Sequence, residues 1–228
     1  MVIALIFLAA ILAMAFLPQM WVRRVIADHA GDRPDLPGSG AEMARNMLDR
    51  LGLTDVAVEQ TDQGDHYDPE AKAVRLSKEN FEGRSLTALV IAAHEIGHAM
   101  QDATGYGPLA ARQRLARRAM RAQQLGTIVM LASPLLFILM KSPVAILIEV
   151  VAALFIMSFA ILIHAVTLPV ELDASFRRAM PLLEATKWMR PEDQPAAKRI
   201  LRAAAFTYVA AAAMTLLDVA RWMRVLRM

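Results

Sequence analysis

Three long apolar stretches constrain this chain more than any other feature. Met1 to Leu17 carries no charge, and Leu125 to Met140 is apolar up to Lys141-Ser142-Pro143. Val144 to Val170 is apolar apart from Glu149 and His164. At 1.5 Å per residue, runs of about 20 residues are what the hydrocarbon core of a bilayer demands. Hydrophobic residues make up 57% of the 228 positions, against about 45–50% in an ordinary soluble domain. That content excludes a disordered chain. The expected fold class is therefore a mainly α integral membrane protein, with transmembrane helices plus a small α+β domain containing a short β-hairpin or sheet.

The charges divide the chain. No Lys or Arg precedes the first apolar run, and Arg23-Arg24 follow it, which predicts an uncleaved anchor over 1–22 rather than a signal peptide. Residues 23–122 have a soluble composition, 123–170 read as a transmembrane hairpin, and 171–202 are charged again. Residues 203–228 read as an Ala-rich helix that crosses the membrane, lies along it or packs on the other helices. Arg and Lys concentrate in 23–122 and 171–202, which places both regions in the cytoplasm. The formal charge of +3 does not indicate nucleic acid, because the basic residues flank apolar blocks instead of forming a patch with aromatics. Cysteine is absent. Disulfides, thiol nucleophiles and Cys-ligated zinc are thereby excluded, and any metal site must use His and carboxylates.

Within 23–122, Ala41 to Leu51 has a helical apolar period closed by Gly52. Val56 and Val58, then Val74 and Leu76, alternate with polar neighbours and predict two short strands, with Asp65-His66-Tyr67-Asp68-Pro69 as the turn-rich link. Leu86 to Asp102 reads as a helix capped by Ser85, and Leu109 to Arg121 as a basic one. The first of these carries His94-Glu95-Ile96-Gly97-His98. Two His four apart share a helix face, so both imidazoles reach one metal ion, while Glu95 falls beside the metal-bound water without being a ligand. This is the pattern in which a metal polarises a carbonyl and the Glu takes the proton of water. The plain alternative is a chance pair on a surface helix. Leu89-Val90-Ile91-Ala92-Ala93 before the motif argues against it, since burying imidazoles and a carboxylate without a partner is costly.

A third ligand must come from elsewhere. Thr104 stands where a third His would follow in the metzincin pattern, leaving His29, His66, Asp102, His164, Glu171 and Asp173. A membrane hairpin would return the chain to the face of the motif helix just before Glu171, which favours Glu171. Asp173 remains the alternative, either as the ligand or as a partner orienting a ligand His. His164 is read as a hydrogen-bonding residue between helices, and Tyr106 as packing or as a donor to an oxyanion.

Four blocks then carry a resemblance: Asp65-His66-Tyr67-Asp68-Pro69, Val74-Arg75-Leu76-Ser77, Ala92-Ala93-His94-Glu95-Ile96-Gly97-His98-Ala99-Met100-Gln101, and Leu168-Pro169-Val170-Glu171-Leu172-Asp173-Ala174-Ser175. Together they resemble the membrane-bound neutral zinc metallopeptidases of the YugP type, relatives of the HtpX-like gluzincins. In those, a Glu in a Glu-x-x-Ala-Asp pattern is the third ligand; here Ser175 occupies the last position. The resemblance implies a gluzincin-like zinc protease domain, Zn2+ held by His94, His98 and Glu171, and Glu95 as the general base. It implies an inner-membrane, multi-pass zinc endopeptidase with its site on the cytoplasmic face. Its partners would be the lipid bilayer and protein or peptide substrates, membrane proteins among them. Two other arrangements fit less well: a site-2-type intramembrane protease, for which Arg84 and Asp102 bracket too short a span, and a non-proteolytic scaffold with a structural zinc.

Overall fold

The computed structural model describes residues 2–140, 162–163 and 165–207. Helix α1 (Val2–Asp28) contains Pro18 and turns Val22 and Val25 into the core. Its last turn is fastened to the start of the motif helix, where Thr87 Oγ donates to the Ile26 carbonyl at 2.9 Å. Helix α2 (Gly40–Arg50) opens with a reciprocal cap between Ser39 and Glu42. Met43, Ala44, Met47 and Leu48 form its buried stripe. It closes at Gly52, whose φ of +73° a side chain would strain; Gly52 N–H returns to Asp49 O and Leu53 N–H to Leu48 O. That pair of bonds satisfies carbonyls the helix end leaves open.

The sheet has three strands, β1 (Ala57–Gln60), β2 (His66–Asp68) and β3 (Ala73–Leu76), in the order β1-β3-β2. Strands β1 and β3 run parallel in the register Val58↔Val74, so the two expected strands do not form a hairpin. The segment expected as a turn supplies the third strand: β2 pairs antiparallel with β3, Tyr67 opposite Val74. Val74 and Leu76 face the core, while Arg75 ties the strands together through Glu59 at 2.9 Å and Asp68 at 2.6 Å.

After the short α3 (Lys78–Glu82) comes α4 (Leu86–Ala103), capped by Ser85, whose hydroxyl accepts from Ala88 N–H. Helix α4 is buried on nearly every side, enclosed by α2, the sheet and the C-terminal elements. Helix α5 (Gly107–Met140) is continuous through the expected boundary at 122. The C-terminal part comprises α6 (165–172), a π-helical segment (Asp173–Ala179), α7 (Met180–Glu184), a short 3-10 turn (Pro191–Asp193) and α8 (194–207). Ala179, Leu183, Ile200 and Leu201 close the core from this side.

The expected integral membrane architecture is corrected by this structure. No helix among the described residues is long and apolar enough to cross a membrane. The first half of α5 carries Arg112, Arg114, Arg117, Arg118 and Arg121. The mainly α content with a small sheet stands. The hairpin tip at Lys141–Pro143, Glu149, His164 and Asp218 lie outside the described residues.

Candidate metal centre

Helical pitch stacks His94 over His98 on α4, with ring centroids 4.8 Å apart and planes at 78°. Glu171, in the last turn of α6 before the backbone widens into the π-helical segment, reaches between them. Its Oε2 lies 3.1 Å from His94 Nε2 and 3.4 Å from His98 Nε2. All three side chains are buried, Glu171 with 1% of its surface exposed. The three could hold a metal ion, their ligand atoms lying within 4.8 Å of one another.

The donor set fits zinc. Atoms bound at about 2.0–2.1 Å to a tetrahedral ion stand roughly 3.3 Å apart, close to the two separations seen here. Two imidazole nitrogens and one carboxylate oxygen are also the ligand chemistry zinc accepts. Glu171 Oε1, in addition, is buried without a hydrogen bond. Arg112 Nη1 stands 3.1 Å from it as an ion pair, at an angle that forms no hydrogen bond.

Charge in the site is strongly perturbed. For Glu171, burial is the largest influence and opposes ionisation, but hydrogen bonds and charge from His94 and His98 overturn it and hold the carboxyl well below its usual range. For His98, burial again acts most strongly, against the cation. The Glu171 bond, the Glu95 and Glu171 charges and a bond donated to the Gln101 amide oxygen outweigh it, raising the imidazole above its ordinary value.

Among the described residues, the other sequence candidates do not join the cluster. Asp173 accepts from Gln101 Nε2 and from Arg178 Nε, both at 2.8 Å. Asp102 accepts from the Tyr67 hydroxyl at 2.9 Å. Burial, then Asp102, pushes that phenol far above its ordinary pKa, so it stays a neutral donor. His66 bonds the Gly64 carbonyl, and His29 that of Val25. Tyr106 lies against Arg178, 5.5 Å from guanidinium carbon to ring centroid.

A cavity of about 250 Å³ opens on the cluster, lined by His94, Glu95, His98 and Glu171 together with Tyr67 of β2 and Arg112 of α5. Sequence reasoning missed Arg112, because it sits in an arginine run that reads as a solvated face. It also missed Gln101, although Gln101 follows His98 by three and so shares its helix face. Ser175, whose Oγ lies 3.1 Å from His94 Nδ1, stands four after Glu171. That spacing was the available signal.

Residues 3–227 match the family described as "Putative neutral zinc metallopeptidase". The chain belongs to this family. It is 34% identical over 219 residues to "Putative membrane protease YugP" of Bacillus subtilis (strain 168), covering 95% of this chain and 93% of that protein. No solved structure matches it significantly. A zinc peptidase family and a buried His-His-Glu cluster thus agree on the class of metal.

Proposed function

We propose that this chain is a zinc endopeptidase, with the ion held by His94, His98 and Glu171 and with Glu95 as the proton carrier. The observation that supports it most is the convergence of two helix-borne imidazoles and a distant carboxylate on a cavity that Glu95 also lines. Zinc, when bound there, supplies Lewis-acid polarisation of a peptide carbonyl and acidifies water. Glu95 lies next to His94 in the chain yet outside the ligand set. It takes the proton of the attacking water and delivers it to the leaving amine. Arg112 pairs with Glu171 Oε1, which leaves Oε2 for the ion. Burial of the ligands keeps their charges unscreened.

The substrate is a polypeptide in extended form. Strand β3, which holds Val74, is central and has no free edge. Strands β1 and β2 are the two edges, and it is β2 whose His66 and Tyr67 line the cavity. A chain added along β2 would exchange backbone hydrogen bonds with it and pass over the metal centre. The printed name of the Bacillus relative supports substrates at a membrane.

The test is a single variant. Glu95→Gln should retain zinc at the wild-type ratio by mass spectrometry and lose cleavage of an unfolded protein substrate by about 10²-fold or more. Undiminished cleavage by the zinc-loaded variant would defeat this assignment.

A further inference from the structure

We propose that Gln101 is a positioning residue that fixes the tautomer of His98 and locks the Glu171 segment to the motif helix. The inference rests on the metal-centre reading above. Gln101 is fully buried, and every polar atom of its amide is engaged. Its Nε2 donates to the Val170 carbonyl at 2.8 Å and to Asp173 Oδ2 at 2.8 Å. Its Oε1 lies 2.9 Å from His98 Nδ1.

The two Nε2 partners settle which way round the amide sits. A backbone carbonyl and a carboxylate only accept hydrogen bonds, so the NH2 must face them and the oxygen must face the imidazole. An amide oxygen only accepts. His98 Nδ1 must therefore carry a proton and donate it, which makes Nε2, 3.4 Å from Glu171 Oε2, the nitrogen that gives up its proton to take the ion. His94 has no such constraint: Ser175 Oγ, 3.1 Å from its Nδ1, is able to donate or accept.

The same amide spans the site. Val170 is the residue before Glu171, and Asp173 begins the π-helical segment just after it. Asp173 is held in turn by Arg178 at 2.8 Å. Gln101 thus joins the helix bearing two ligands to the segment bearing the third, using one side chain for both tasks. An imidazole supported in this way is typically a better metal ligand, and loss of such a partner typically weakens metal binding by about 10–100-fold.

The experiment measures zinc affinity by chelator competition and the His98 ring by ¹⁵N-edited NMR. Zinc-loaded wild-type protein should show a slowly exchanging His98 Nδ1 proton and a metal-shifted Nε2. Gln101→Met, similar in volume, should bind zinc about 10–100-fold more weakly and lose the slow exchange of that proton. Equal affinity in Gln101→Met and wild type, or a His98 ring protonated on Nε2, would overturn the relay while leaving zinc binding itself standing. Should Gln101→Met fail to fold, the wild-type ring spectrum alone decides. If wild-type protein binds no zinc, the metal-centre reading falls, and this inference with it.

Discussion

Glu171 faces two kinds of partner with its two oxygens, and its ionisation ties the metal-free protein to pH. Its carboxyl is depressed, so its contribution is present above the ordinary value of 4.5 and is lost only in strong acid, as pH falls through the folded value. His98 is raised above its ordinary 6.5, so its contribution is complete below 6.5 and disappears as pH climbs through the folded value. The chelated protein should therefore lose thermal stability as pH rises from 6.5 through the folded value, while zinc affinity increases over the same interval because the ion displaces that proton. Melting curves with and without chelator across that range check this. A chelated protein whose midpoint is flat in pH contradicts the His98–Glu171 pairing. At this scale the motif residues were legible, because their chemistry is local to one helix turn. Arg112 was not, since nothing in an arginine run says which member will meet a buried carboxylate.

At the scale of elements, the centre depends on how closely α4 approaches the π-helical segment. A Cβ on Gly97 would stand 2.6 Å from the Ala174 carbonyl oxygen and 3.2 Å from its Cα, both backbone atoms. Backbone yields less readily than a flexible side chain, so Gly97→Ala must push the two elements apart. It should cost about 1–3 kcal/mol of stability and weaken zinc binding by separating His94 and His98 from Glu171. Gly31→Ala is the control, with nothing within 4 Å of the added carbon. Thermal midpoints and zinc titrations of the two variants test this; equal behaviour would mean that the contact is not limiting. The glycine inside the motif carried no visible reason in sequence. The π-helical widening and strand β2 were likewise hidden: β2 has three residues set among the turn formers Gly64, Asp65 and Pro69, and only its pairing with β3 makes it a strand.

For the whole molecule, the proposed ion would cross-link α4 to a segment 77 residues away, from His94 to Glu171. Binding to the folded state alone stabilises by about 4 kcal/mol at a thousandfold excess over Kd. For a domain of this size each kcal/mol moves the midpoint by roughly 2–4 °C. Zinc should thus raise Tm by about 10 °C, chelator should reverse the shift, and Glu171→Gln should largely abolish it. A midpoint indifferent to zinc would argue against a metal shared between these elements. Apolar composition alone misdirected the fold class, because it measures how much surface must leave water and not what covers it.

What the sequence determined by itself was the part governed by helical pitch. Two His four apart with a Glu between them share a turn wherever the helix lies, and Gly52 and Ser85 mark helix ends through chemistry confined to a few residues. The tertiary structure alone decided that Glu171 and not Asp173 faces the imidazoles, that Gln101 bridges the two halves, and that β2 is the edge strand beside the cavity. Those outcomes depend on contacts between residues far apart in the chain, and no local period encodes which distant groups will meet once the core closes.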